Sequence, residues 1–296
     1  MRVLILGATG MLGHKLWQVH RGRFETWATM RSRYQEYAGY EFFDPGRLLD
    51  GVDTSEFDTV LRAFETTQPN VVVNAIGIVK QAPAANDPIV SLTVNSLIPH
   101  RLAKLCESTG TRLIHISTDC VFSGHKGMYT EDDMPDADDL YGRSKLLGEV
   151  SGPNCLSLRT SIIGREIKTK NGLVEWFLGS SGRRVQGYTN AVFSGFPTLI
   201  LADIIADIID RQPDLSGLYH VSSDPINKFQ LLSLLREAFQ LSIEIEPCPS
   251  VSIDRSLDSG RFRAATGYGP PTWPEMVQIM ASDPTPYELW RQARGS

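Results

Sequence analysis

The sequence has little of what would send a chain to a membrane, an oxidising compartment or a polyanion. Its four cysteines, Cys106, Cys120, Cys155 and Cys248, are far apart and form no Cys-x-x-Cys pair. That excludes a disulfide framework and a zinc module and predicts reduced thiols. The six histidines follow no ligand spacing, so no metal site is expected, and His14 and the others read as structural or surface residues. No apolar run approaches the ~20 residues of a membrane helix. The opening Met1-Arg2-Val3-Leu4-Ile5-Leu6-Gly7 is too short in charge and apolar length for a secretory signal. Positive charge is not in excess: 29 Lys+Arg stand against 34 Asp+Glu, a net −5. Such a chain has no broad field for phosphate backbones, which argues against nucleic acid as a partner.

What is present is a globular composition, 42% hydrophobic over 296 residues, enough for one large domain or two small ones. No repeat or low-complexity tract interrupts it. The expectation is a cytoplasmic α/β protein, an enzyme, with no membrane partner.

Apolar runs and helical periodicities alternate through the first half. Val3–Leu6, Phe24–Met30, Asn70–Ala75, Leu113–Ile116 and Cys155–Leu158 read as buried strands. Met11–His20, Thr54–Thr67, Asp87–Thr109 with a break near Pro99, and Leu140–Val150 read as helices. This is the βαβ pattern of a Rossmann-type doubly wound parallel sheet. Residues 1–160 would form the cofactor domain, with about 196–222 rejoining it. Residues 161–296 would form mainly a smaller C-terminal α/β substrate lobe. In that lobe Gly172–Leu178, Thr198–Arg211 and Lys228–Gln240 look helical, and Leu218–Val221 looks like a strand. Pro247–Ser252 looks irregular, and Pro270–Pro274 introduces a last helix.

Gly7-Ala8-Thr9-Gly10-Met11-Leu12-Gly13 follows the first strand and opens the first helix. In that context GxxGxxG is a dinucleotide loop. Gly7 makes the turn, Gly10 lets backbone approach a pyrophosphate, and Gly13 lets helix pack on strand. Thr9, Met11 and Leu12 complete the phosphate-facing loop at the helix N-terminus. After the second strand comes Thr29-Met30-Arg31-Ser32-Arg33, with no acid for a ribose 2′-hydroxyl. An arginine there accommodates the 2′-phosphate of NADP, so NADP is expected, with NAD the alternative. Arg31 is the first choice for that contact and Arg33 the second.

Tyr141 and Lys145 stand at i and i+4 of an expected helix, on one face. Ser117-Thr118-Asp119 ends an expected strand, where doubly wound sheets border their ligand crevice. An ammonium beside a phenol favours tyrosinate, so Lys145 would lower the Tyr141 pKa. Tyr141 would exchange a proton with a substrate oxygen, and Thr118 would hydrogen-bond that oxygen.

Together these residues resemble the extended short-chain dehydrogenase/reductase family, and within it the sugar-nucleotide reductases. The likeness runs through Val52-Asp53, Pro69–Ala75, Val94-Asn95, Ser117–Gly124, Tyr129–Asp132, Tyr141–Glu149, Leu158–Ser161, Phe196–Thr198 and Pro270–Trp273. The resemblance implies catalysis by Thr118, Tyr141 and Lys145, with Lys145 also holding the nicotinamide ribose. It implies that Asp53 meets the adenine amino group, that Asn74, Ala75 and Ile76 line the adenosine ribose and phosphates, and that Asn95 lies under the active-site helix. It nominates Arg159–Thr198 for substrate contact.

The implied reaction is NADPH-dependent reduction of a 4-keto-6-deoxy sugar nucleotide in deoxysugar or polysaccharide biosynthesis. Two departures bear on the sugar. Cys120 replaces the family's tyrosine, and Lys168–Gly195 is unlike the usual reductase. Cys120 also stands where sugar-nucleotide dehydratases carry a glutamate, which argues against dehydration. Epimerisation remains an alternative, as does a non-catalytic regulatory subunit like that of methionine adenosyltransferase. A homodimer is left open.

Overall fold

The computed structural model describes residues 1–80 and 83–292. Twelve strands are found among them: β1 Arg2–Leu6, β2 Glu25–Thr29, β3 Leu48–Leu49, β4 Val71–Asn74, β5 Arg112–Thr118, β6 Cys155–Thr160, β7 Ile162–Ile163, β8 Arg184–Phe193, β9 Phe196–Pro197, β10 Gly217–His220, β11 Ile226–Asn227 and β12 Glu244–Asp254. Eleven α-helices accompany them: α1 Gly13–His20, α2 Phe57–Thr67, α3 Pro88–Leu92, α4 Ile98–Thr109, α5 Leu140–Leu147, α6 Leu173–Leu178, α7 Thr198–Arg211, α8 Lys228–Ala238, α9 Gly260–Thr266, α10 Trp273–Ala281 and α11 Tyr287–Gln292. No described helix is long and apolar enough to cross a membrane.

Seven strands form one parallel sheet in the order β10-β6-β5-β4-β1-β2-β3. The run Val3–Leu6 is wholly buried because both faces of the sheet are covered. Val3 and Ile5 belong to one apolar cluster with Leu16 of α1 and with Leu201, Ile204, Ile205 and Ile208 of α7. Leu4 and Leu6 face the other way, onto Val60, Phe64, Ile98 and Leu102. Helices α1 and α7 therefore cover one face, and α2 and α4 the other.

From β1 the sheet runs outward to β2 and β3 on one side, and from β4 to β5, β6 and β10 on the other. The β1/β4 boundary is thus the topological switch point, where such folds open a crevice beyond the carboxyl ends of their strands. A second sheet, β11-β8-β12, lies after residue 180, with β12 parallel and β11 antiparallel to β8.

Several expectations are corrected. Pro247–Ser252 is not irregular but belongs to β12, whose register shifts between Cys248 and Ser252. An edge strand tolerates proline because one row of its N–H groups needs no partner in the sheet. The helix after Pro270–Pro274 is not the last, since α11 follows it. The break expected at Pro99 lies just upstream, as a π-helical turn over Thr93–Leu97 that leads into α4. The chain after α10 returns to α1: Asp283 pairs with Lys15 at 2.5 Å, and the Tyr287 hydroxyl lies 2.7 Å from His14 Nε2.

Candidate active site at the carboxyl edge of the sheet

The glycine loop leaves β1 at the switch point. Gly7 has φ +93°, a left-handed conformation that disfavours side chains, and a Cβ there would come within 2.9 Å of Ile76 Cγ1. At Gly13 a Cβ would lie 1.9 Å from the Gly7 carbonyl oxygen, so helix and loop pack too closely for alanine. Gly10 differs. A Cβ there would meet only the Gly7 oxygen at 3.5 Å, and the residue is exposed. No protein packing requires that glycine, whereas a ligand approaching the backbone would. Leu12 caps α1 without a side-chain hydrogen bond. The helix start thus keeps N–H groups for an anion, and the loop fits a dinucleotide pyrophosphate.

Around this loop lie the other expected cofactor contacts. Gly7 N–H donates to Thr29 Oγ1 at 3.3 Å and Ala8 N–H to the Thr29 carbonyl at 2.9 Å, tying the loop to the end of β2. Arg31 follows β2 and is exposed. Arg33 is also exposed but has Asp50 3.8 Å away. Asp53 is half-buried, and its Oδ1 accepts from Ser55 N–H at 2.9 Å. Asn74 is buried at the end of β4, turned onto His115 Nδ1 at 3.1 Å, and its Oδ1 accepts from Ile76 N–H at 3.2 Å. Ala75 and Ile76 are half-buried beside Gly7.

Thr118, Tyr141 and Lys145 converge at the end of β5. Asp139 caps α5, its Oδ1 accepting from Gly142 N–H at 2.7 Å. This holds Tyr141 in the first turn, with its hydroxyl near Thr118. Thr118 Oγ1 accepts from Cys120 N–H and donates to Asp119 Oδ1, each at 3.1 Å. Lys145 Nζ donates to the Ile116 carbonyl at 2.7 Å. Burial brings the Lys145 pKa down to about 8, against a smaller opposing pull from Glu149.

The expected depression of the Tyr141 pKa is not found. Burial pushes it above the usual phenol range, and the neighbouring Cys120, Asp119 and Asp139 add to that, while Thr118 opposes it. Lys145 is turned to a backbone carbonyl instead. The phenol is therefore protonated at neutral pH, the form a proton donor needs.

A family model described as the RmlD substrate binding domain matches residues 1–282. The chain belongs to this family. A dTDP-4-dehydrorhamnose reductase of Aggregatibacter actinomycetemcomitans is 29% identical over 76% of this chain and 74% of its own length. Methionine adenosyltransferase 2 subunit beta of Danio rerio is 27% identical over 81% of this chain and 74% of its own. Among solved structures, dTDP-4-dehydrorhamnose reductase from Bacillus anthracis str. Ames in complex with NADP superposes with a TM-score of 0.77, at 19% identity, over 94% of this chain and 98% of that one. The RmlD-family fold thus extends over both sheets.

Some site residues have no place in the sequence reading. A Cβ at Gly142 would lie 2.2 Å from the Cys120 carbonyl oxygen, and one at Gly148 1.8 Å from the Asn95 carbonyl oxygen. These two glycines seat α5 against the turn that follows β5 and against the π turn. Glycine inside a helical pattern is the available signal. Asn95 lies in that turn, accepting from Ile78 N–H at 2.9 Å and donating to Ser144 Oγ at 3.1 Å. Arg159, at the head of the nominated substrate segment, is engaged with both oxygens of Glu149 at 2.7 Å. Lys228, outside that segment, lies 3.8 Å from the centre of the Phe193 ring.

Proposed function

We propose that this chain reduces a 4-keto-6-deoxy sugar nucleotide with NADPH, as a dTDP-4-dehydrorhamnose reductase-like oxidoreductase of deoxysugar or polysaccharide biosynthesis. The observation that carries the reading is the meeting of Thr118, Tyr141 and Lys145 at the end of β5, beside a glycine loop that fits a pyrophosphate. NADPH, when bound, supplies the hydride. Gly7, Thr9, Gly10, Met11, Leu12 and Gly13 hold its phosphates, Arg31 its 2′-phosphate, Asp53 its adenine, and Asn74, Ala75 and Ile76 its adenosine side; NAD is the alternative cofactor. Thr118 orients the substrate carbonyl, and Tyr141 gives it a proton. Lys145 holds the nicotinamide ribose.

Residues 1–160, together with about 196–222, which carries α7 and β10, act as the cofactor domain, and the other later segments mainly as the sugar-nucleotide lobe. Four free thiols support a cytoplasmic setting. Exposed Ile89, Leu97 and Leu147, at 77%, 53% and 60%, support a homodimer through the α3–α5 region. The relative that is a methionine adenosyltransferase subunit favours a second reading, regulatory binding to another protein. Loss of NADPH absorbance with a panel of dTDP- and UDP-linked 4-keto sugars decides between them. Turnover with one of the panel supports the reductase. NADPH binding without oxidation by any of them supports the regulatory role.

A further inference from the structure

No packing fixes Gly10, yet its peptide must hold one orientation if the loop is to meet a pyrophosphate. Hydrogen bonds supply that constraint. The Gly10 carbonyl accepts from His14 N–H at 3.2 Å and lies 2.9 Å from His14 Nδ1. A carbonyl only accepts, so Nδ1 carries the imidazole hydrogen and Nε2 of the neutral ring is an acceptor. Nε2 lies 2.7 Å from the Tyr287 hydroxyl, which therefore donates to it. The relay runs through the interior, with His14 fully buried and Tyr287 nearly so. Burial keeps both groups uncharged at neutral pH, drawing the His14 pKa down to about 3 and pushing the Tyr287 phenol above its usual range.

Tyr287 is the first residue of α11, after the span 1–282 that the family model covers. Its ring is held between two cations. The Arg165 guanidinium lies 4.7 Å from the ring centre and the Lys15 ammonium 5.1 Å. The Lys15–Asp283 pair ties the preceding turn to α1. The hydroxyl is thus anchored independently of the glycine loop it supports.

In a planar trans peptide the C=O and the following N–H point in opposite directions. Turning the Gly10 carbonyl inward, onto His14, turns the Met11 N–H outward, to the side where Gly10 is exposed. We propose that Tyr287 and His14 are positioning residues for the cofactor: Tyr287 fixes the His14 tautomer, and His14 locks the Gly10 peptide so that the Met11 N–H faces the dinucleotide pyrophosphate. This rests on the dinucleotide reading of the loop.

The test is calorimetric titration of wild type, Tyr287→Phe, His14→Leu and His14→Asn with NADPH and with adenosine 2′-monophosphate, which lacks the pyrophosphate. The asparagine amide nitrogen stands where Nδ1 does and can still donate to the Gly10 carbonyl. His14→Leu and Tyr287→Phe should each weaken NADPH binding about three- to tenfold and leave adenosine 2′-monophosphate unaffected. His14→Asn should bind NADPH more tightly than His14→Leu. A merely structural role ranks those two the other way, because a buried amide in place of the ring is worse for stability than leucine. Unchanged NADPH affinity in Tyr287→Phe and His14→Leu would overturn the relay. So would an equal loss for both ligands, or NADPH binding by His14→Asn no better than by His14→Leu. Failure of wild type to bind NADPH would overturn the dinucleotide reading itself.

Discussion

Gly142→Ala sets helix propensity against packing. Gly142 lies inside α5 with no positive φ, so alanine should favour the helix by about 1 kcal/mol. The structure predicts the reverse. The added Cβ would lie 2.2 Å from the Cys120 carbonyl oxygen and 2.6 Å from Ala137 Cβ. Ordinary contact begins at 3.4 Å, so α5 must move by about 1 Å. Overpacking costs about 1–3 kcal/mol, and a backbone carbonyl, which cannot rotate away, places this site at the upper end. The net loss is about 2 kcal/mol, a fall in Tm of roughly 4–8 °C. The same shift carries Tyr141 away from Thr118, and a displacement of about 1 Å at a reacting group costs about 100-fold in rate. Calorimetry and steady-state kinetics on purified Gly142→Ala check both effects, with NADPH affinity as the control. A variant as stable and as active as wild type would refute the packing argument.

Two further outcomes follow from the same geometry. Arg31→Ala should weaken NADPH binding about tenfold or more while leaving NADH binding nearly unchanged, measured by fluorescence titration; equal losses would remove Arg31 from the 2′-phosphate site. His14 is buried and neutral, its pKa brought down to about 3 by burial and by the Lys15 charge. The unfolded chain protonates this histidine near pH ~6.5, so it takes up a proton that the folded chain refuses. Its share of stability is complete above pH ~6.5 and falls as the pH drops toward about 3, by about 1.4 kcal/mol per pH unit. Urea unfolding between about pH 7 and 5 should give a flatter pH dependence for His14→Gln than for wild type; equal slopes would show that His14 does not carry the effect.

The parallel sheet is legible in the sequence because its strands are buried on both faces and stand out as unbroken apolar runs. Helix α7 is legible to the residue, Thr198–Arg211, because its apolar stripe is long and broad. Strand β8 is not, although its buried Val185, Gly187, Ala191 and Phe193 alternate; glycine and polar residues dilute that period. The two prolines of β12 hide an edge strand. In the site, the glycine loop and the Tyr141/Lys145 pair are visible as local motifs. The positions of Gly142 and Gly148 depend on contacts with Cys120 and Asn95, which are distant in sequence and which no local pattern encodes. The direction of the Tyr141 shift is hidden for a related reason. Burial decides it, and burial is set by the whole fold.

The central claim is that Tyr141 delivers the proton at a site built to reduce a sugar ketone. Single-turnover oxidation of bound NADPH by Tyr141→Phe, with the keto sugar nucleotide that wild type turns over, tests it most directly. The expected rate is lower by about 10²–10⁴-fold with NADPH affinity preserved. A wild-type rate in that variant would contradict it.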